Sequence, residues 1–139
     1  MTWGYGENML QGHHQLLVVT AENWDAIQGK MQLYERESDA AHWTPIGTCI
    51  PVVLGRKGLA WGIGLHPIAE NSTLQKKEGD GKSPAGMFAL GPAFGFAPHM
   101  PHLKSVLSWL QKEKCPVLVQ LPIQTYQILQ SQWHLPEIN

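Results

Sequence analysis

The chain has 139 residues, a formal net charge of −1 at pH 7 and 15% charged side chains. This length fits a single domain, 1–139, which is large enough for an ordinary core. Because the charged share is below the usual quarter, we do not expect disorder driven by charge. Because the sequence has no block of basic residues, we expect no nucleic-acid-binding surface of the kind that follows phosphates.

The sequence shows no signal for secretion or membrane insertion. Met1 to Gln15 contains no basic region followed by an apolar one, and no run of 18 apolar residues occurs along the chain. We therefore expect neither a signal peptide nor a membrane span.

The first third of the chain is typical of short strands separated by turns. Gln15 to Thr20 (QLLVVT) is a β-rich apolar run and is predicted to be the first strand. Asn23 to Gly29 is predicted to be a turn or one helical turn. Lys30 to Arg36 (KMQLYER) alternates with period two, which predicts a half-buried strand hairpinned to a neighbour.

The next segment combines strand residues with prolines. Thr44 to Leu54 (TPIGTCIPVVL) is rich in β-branched residues but contains Pro45 and Pro51. Because proline cannot donate a ladder hydrogen bond, we expect two short strands, or an edge strand with a break. Leu59 to Leu65 (LAWGIGL) is predicted to be another short strand.

A polar stretch then leads into a further strand. His66 to Lys82 ends in a Gly-Asp-Gly run, which is a turn signal. Met87 to Leu90 returns to strand character. Pro84 and Gly86 are predicted to shape the turn before it, and if Gly86 has positive φ its replacement by alanine should be destabilising.

In the last third of the chain, a Gly- and Pro-rich loop, Gly91 to Pro101, is followed by a pattern typical of a helix. His102 to Lys112 carries leucine and valine at i, i+3, i+4 and i+7, which predicts an amphipathic helix. Pro116 to Leu121 is predicted to be a strand and Ile123 to Gln132 a second short helix. The fold class expected is mostly β, with one or two short helices near the C-terminus.

Two stretches of this sequence resemble the L,D-transpeptidase (YkuD-like) catalytic domain. The first, Trp43 to Pro98, includes KKEGDGKSPAGMFALGPAFGFAP, in which SPAGMF is similar to the Ser/Thr-Pro-x-Gly-x-Phe element of that family. The second, Ser105 to Pro122 (SVLSWLQKEKCPVLVQLP), resembles the tail of the same domain. The two stretches cover about half of the chain.

The resemblance implies a β-sandwich-like domain, incomplete here, from a family that crosslinks peptidoglycan stem peptides. In that family a cysteine thiolate, activated by a histidine, attacks the peptide carbonyl, and backbone N–H groups hold the oxyanion. It also implies a location in the cell envelope or periplasm, and no cofactor.

The catalytic signature of the family is absent from the sequence. A histidine followed by a short Ser/Thr-(His/Ala)-Gly-Cys segment would fall between the two stretches, where this chain has only His99 to Lys104 (HMPHLK). No catalytic residue is therefore assigned. We expect a catalytically inactive member of the family or, as the alternative, a non-catalytic binding or structural protein on the same β scaffold.

Neither cysteine is expected to replace the missing nucleophile. Cys49 lies in the apolar run Ile46 to Leu54, and burial there would make its thiol inert. Cys115 follows Lys112 and Lys114, which favour a thiolate, but the C-terminus of the predicted helix disfavours an anion.

The histidines are not expected to form a metal site. His99 and His102 are spaced for one face of a helix, but the neighbouring prolines oppose helix there, and no Cys-x-x-Cys supplies further ligands. His13 and His14 are expected to be exposed. His66, within the family-like stretch, is expected to be a structural histidine with both ring nitrogens satisfied.

Two other features have plain structural explanations. The run from Gly79 to Ser83 contains Gly-Lys-Ser, but its spacing does not fit a Walker A motif, so a turn is expected. Tryptophan most often packs in a core, whereas an aromatic ligand groove would require the six tryptophans to cluster. They are Trp3, Trp24, Trp43, Trp61, Trp109 and Trp133.

The shortened sequence also predicts self-association. If the segment missing between the two family-like stretches supplied core strands, Met87 to Leu90 and Pro116 to Leu121 would lack neighbours. Unpaired edges and uncovered apolar faces favour association, so we expect a monomer of marginal stability.

Overall fold

The structure is a computed structural model and describes residues 9–67, 74–90, 109 and 116–138. Within them the chain is mostly β, as predicted, with one short helix near the C-terminus. The elements are β1 Gln15–Ala21, β2 Gln28–Glu35, β3 Thr44–Val53, β4 Leu59–Trp61, β5 Ser83–Ala89, β6 Val117–Pro122 and α1 Ile123–Leu129.

The six strands form one mixed sheet in the order β3-β2-β1-β6-β5-β4. Strands β1, β2 and β3 are antiparallel neighbours, and β5 and β6 are also antiparallel. The pairs β1–β6 and β4–β5 are parallel. The sandwich that the family resemblance implies would need a second facing sheet, and the described strands all belong to this one.

The order of the strands explains their composition. Strands β1 and β6 lie in the middle of the sheet and are apolar almost throughout, because both of their faces are covered. Strands β2 and β3 lie toward one edge and carry many exposed or half-buried residues. The apolar run and the alternating run in the sequence thus correspond to central and peripheral positions.

One face of the sheet packs against α1 and the segment that follows it. Side chains from β1 and β6, such as Val18 and Val119, join Tyr126, Leu129 and Trp133 in one core cluster. Tyr126 donates a hydrogen bond from its hydroxyl to the Pro136 carbonyl at 2.5 Å and so ties the helix to the tail. The helix therefore covers the centre of the sheet.

The opposite face carries a smaller cluster of Leu17, Leu33 and Trp109. The Trp109 carbonyl accepts a hydrogen bond from the side-chain amide of Gln15, and the Trp109 indole N–H donates to the Glu35 carboxylate. Trp109 is the one described residue within the predicted helix His102 to Lys112; the rest of that prediction lies outside the described residues. The predicted loop Gly91 to Pro101 also lies outside them.

Strand β3 confirms the edge-strand alternative. It is a single ten-residue strand at one end of the sheet, with a register shift opposite Met31 to Leu33. Pro45 and Pro51 are tolerated because an edge strand has one side on which no ladder hydrogen bond is required. The Gln32 side-chain amide donates to the Ile46 carbonyl at 3.0 Å and stabilises the shifted register.

The turn predicted before Met87 is wrong, although Gly86 does have a positive φ. Strand β5 already begins at Ser83, and Gly86 lies inside it, paired with Gln120, at a φ of 134°. A glycine is needed there because the His66 ring lies against this position. The tight turn lies earlier, at Glu78 to Gly81.

The prediction that two strands would lack neighbours is also wrong. Strand β5 lies between β4 and β6, and β6 lies between β5 and β1. The edges of the described sheet are β3 and β4. Strand β4 is partly covered, since the Trp61 N–H donates to the Leu74 carbonyl and the Lys76 N–H donates to the Trp61 carbonyl.

Candidate functional site

His66 is a buried structural histidine in this fold. Its Nδ1 accepts the Met87 backbone N–H at 3.0 Å, and its Nε2–H donates to the Gly62 carbonyl at 2.8 Å. Burial lowers the pKa of the ring, although these backbone contacts partly oppose that change. The ring is neutral at pH 7, but both of its nitrogens are occupied, so His66 is not available as a general base.

An aromatic cluster surrounds His66. Trp61, Phe88 and Trp133 have ring centroids 5.6, 5.5 and 5.8 Å from the imidazole. Trp24 extends the cluster, with its centroid 5.3 Å from that of Trp61. These tryptophans therefore serve mainly as packing residues, and Trp133 is fully buried.

Gly86 makes room for this cluster. A Cβ atom at position 86 would lie 2.0 Å from Cε1 of His66, a separation that no side chain could adopt. The glycine of the Ser-Pro-x-Gly-x-Phe element thus has a packing role here: it lets the imidazole ring lie directly on strand β5.

The expectation that Cys49 is buried is wrong. Its side chain is exposed, because it lies on β3 at the edge of the described sheet. Within the part of the chain that the structure describes, no histidine hydrogen-bonds its sulfur. Cys49 thus has neither the expected burial nor the imidazole partner that thiolate catalysis requires.

Several residues considered from the sequence lie outside the described part of the chain. They are Cys115, His99 and His102. His13 and His14 are half-buried, and the His14 ring lies 3.2 Å from the Asp39 carboxylate. Among the described residues, no group of three His, Cys, Asp or Glu side chains is placed to hold a metal ion.

The run from Gly79 to Ser83 is a turn, as expected. The Asp80 carboxylate accepts the backbone N–H groups of Lys77 at 2.7 Å and Lys82 at 2.9 Å, and these bonds hold its pKa well below the usual range. The Ser83 hydroxyl accepts the Gly55 N–H at 2.7 Å. These side chains are used to fix the turn and are directed at the protein's own backbone.

One face of the described sheet forms an open groove of about 2180 Å³, which we call the sheet groove. Its floor is formed by one face of β1, β2 and β3, and its wall is formed by α1 and the tail up to Ile138. The groove exists because α1 covers the centre of the sheet and leaves the part formed by β2 and β3 open.

The floor of the sheet groove follows the alternation of β2. Lys30, Gln32 and Tyr34 share one face, since side chains in a strand alternate. Strand β3 adds Cys49 and Pro51 to the lining, and Trp43 lies just before that strand. The floor is therefore mixed, with an ammonium, an amide, a phenol and a thiol among apolar groups.

Tyr34 is the most unusual polar residue of the groove. Its side chain is only 5% exposed, yet its hydroxyl opens onto the groove and makes no hydrogen bond to any residue that the structure describes. Burial, and secondarily the nearby Cys49 thiol, raise the pKa of this phenol. At neutral pH it is thus a protonated hydrogen-bond donor.

Sequence reasoning misses this site. The alternation in Lys30 to Arg36 does place Lys30, Gln32 and Tyr34 on one face. Which part of that face stays uncovered depends on where α1 packs, and this is a long-range contact that strand periodicity does not contain. The sequence therefore indicates the shared face but not the groove.

Comparison with known proteins gives no relative: no family model, no curated protein and no solved structure matches this chain. Among the described residues, no helix is long and apolar enough to cross a membrane. The geometry of the groove is thus the main guide to function.

Proposed function

We propose that this chain is a non-catalytic peptide-binding protein, related in sequence pattern to L,D-transpeptidases, that binds peptidoglycan stem peptides without crosslinking them. The sheet groove is the observation that carries the proposal. It is large and runs along strands, and two of its polar side chains, Lys30 and Tyr34, make no hydrogen bond to a described residue.

The shape of the groove favours an extended ligand. Its floor follows β2 from Lys30 to Tyr34, a length of about 13 Å at 3.3 Å per residue, which matches a peptide of about four residues. An extended chain presents backbone donors and acceptors at the same spacing as a strand, and recognition of peptides by sheets uses that match. Stem peptides are short chains of this length.

The described residues give no support for catalysis. A nucleophilic thiol needs an imidazole within hydrogen-bond reach and backbone donors for the oxyanion. Cys49 is exposed on an edge strand, and the ring nitrogens of His66 are occupied by Gly62 and Met87. A binding role is thus favoured over turnover.

Calorimetric titration with a synthetic tetrapeptide stem, combined with mass spectrometry of the same mixture, tests the proposal. We expect saturable binding and a peptide mass that does not change. Cys49→Ser should bind as the wild type does, because the proposed role of the groove does not use the thiol. Absence of binding, or crosslinked product that disappears in Cys49→Ser or Cys115→Ser with the fold intact, would contradict the proposal.

A further inference from the structure

Tyr34 has a donor without a described partner at one end of the sheet groove. A hydroxyl that reaches a groove takes its hydrogen-bond partner from whatever occupies the groove, either water or a ligand. Tyr34 as a residue is only 5% exposed, but its hydroxyl is accessible from the groove and no described residue accepts its proton. Its place in the groove lining leaves the groove as the source of an acceptor.

Tyr126 shows what a phenol does when it serves the fold alone. It is fully buried and donates to the Pro136 carbonyl at 2.5 Å. It belongs to the same core cluster as Tyr34 but does not line the groove. The two tyrosines thus differ in the feature that matters here, which is whether the hydroxyl is already satisfied.

The other end of the groove is acidic. Glu22 and Asp25 lie at this end, in the connection between β1 and β2, and both are exposed; Glu137 of the tail also lines the groove. Lys30 is the one lysine among the described lining residues, which include no arginine. This excess of carboxylates favours a ligand that carries a positive charge, although exposed charges contribute at most about 1 kcal/mol each.

We propose that Tyr34 anchors the ligand of the sheet groove by donating a hydrogen bond to a carbonyl or carboxylate oxygen of an extended peptide whose free amine lies toward Glu22 and Asp25. This inference rests on the proposed function. It adds the orientation of the peptide in the groove and the chemical groups that the peptide must carry. The ligand is thus a short peptide that has a carbonyl or carboxylate acceptor near Tyr34 and a primary amine near the opposite end of the groove.

Two tyrosine variants separate anchoring from structure. The probe is a tetrapeptide stem that contains a diamino acid with a free side-chain amine, titrated by calorimetry. Tyr34→Phe should weaken binding about tenfold, the loss expected for one hydrogen bond of about 1.4 kcal/mol, and leave the melting temperature unchanged. Tyr126→Phe should lower the melting temperature and leave the affinity unchanged.

Acetylation of the side-chain amine of the probe tests the acidic end. The acetylated probe should bind the wild type several-fold more weakly at low salt, with a smaller difference at high salt. If the wild type binds the probe but Tyr34→Phe binds equally well, the anchoring role is wrong and the proposed function stands. If the wild type binds neither probe, both are overturned.

Discussion

At the scale of single residues, polar side chains in this protein divide into those that stabilise the fold and those that remain available. Asp80 and Ser83 accept backbone N–H groups of neighbouring segments. Arg36 donates from Nε to the His13 carbonyl at 3.0 Å, and its guanidinium carbon lies 4.3 Å from the Trp43 ring centroid. Tyr34, by contrast, is held in place without a described partner for its hydroxyl.

His66 should make the protein sensitive to mild acid. Because burial lowers its pKa in the folded state below the ordinary value of 6.5, the unfolded chain binds the extra proton first as pH falls. The contribution of neutral His66 to the free energy of unfolding is therefore complete above pH 6.5, and it is lost progressively as the pH falls below that value. Urea unfolding at about pH 7.5 and about pH 5.5 should therefore show a lower free energy of unfolding at the more acidic pH.

His66→Gln is the matched variant for this measurement, since its amide can still accept from Met87 and donate to Gly62 but does not titrate. It should be less stable than the wild type by about 1–3 kcal/mol at about pH 7.5, because ring packing is lost. Its stability should change less between the two pH values. An equal pH dependence in both proteins would show that the acid sensitivity has another source.

At the scale of elements, local patterns predict most strands, and long-range contacts decide the rest. The apolar run of β1, the alternation of β2 and the short helix α1 are all visible in the sequence. The sequence places the start of β5 at Met87 rather than Ser83, because Pro84 and Gly86 normally interrupt strands. Gly86 is tolerated there because the His66 ring requires the space.

Gly86→Ala should therefore be strongly destabilising. The added methyl group meets the His66 ring, and alanine is strained at a φ of 134°. Together these effects should cost about 3 kcal/mol. Gly79→Ala is the control, since Gly79 also has positive φ but no described atom lies within 4 Å of the place its methyl group would take. It should cost about 1 kcal/mol in thermal or urea unfolding.

Equal losses in the two glycine variants would show that backbone strain alone matters and that His66 can move aside. A difference of about 2 kcal/mol would confirm that the ring and strand β5 pack as described. The same two glycine variants can be compared in the His66→Ala background, where the added methyl group has room. If the difference between their stability losses disappears there, the His66 ring is its cause.

At the scale of the whole molecule, the described sheet has two edges, and they differ. Strand β4 is partly covered by the chain near Leu74 and Lys76. Strand β3 is ten residues long and carries Val53, which is 85% exposed. Its prolines and its register shift limit regular strand pairing, so association at this edge would rest on the exposed Val53 side chain.

Self-association stays a prediction, and the structure moves its expected location to β3. Light scattering across concentrations should show an apparent mass that rises above that of the monomer, with hydrophobic dye bound in native buffer. Val53→Lys should reduce both signals. Ile128 is also an exposed apolar residue, at 72%, but it lies on α1. Ile128→Lys should therefore leave the scattering and the dye signal unchanged. A monodisperse monomer with a sharp melt and no dye binding would refute the prediction.

The central claim, that the sheet groove binds a short peptide without converting it, is tested most directly by nuclear magnetic resonance. Backbone amide shifts would be followed while the tetrapeptide stem is added, and the peptide signals would be read in the same samples. We predict shift changes concentrated in β2, β3 and the tail after α1, with unchanged peptide signals. No shift changes, changes centred on β4, or new product signals would contradict the claim.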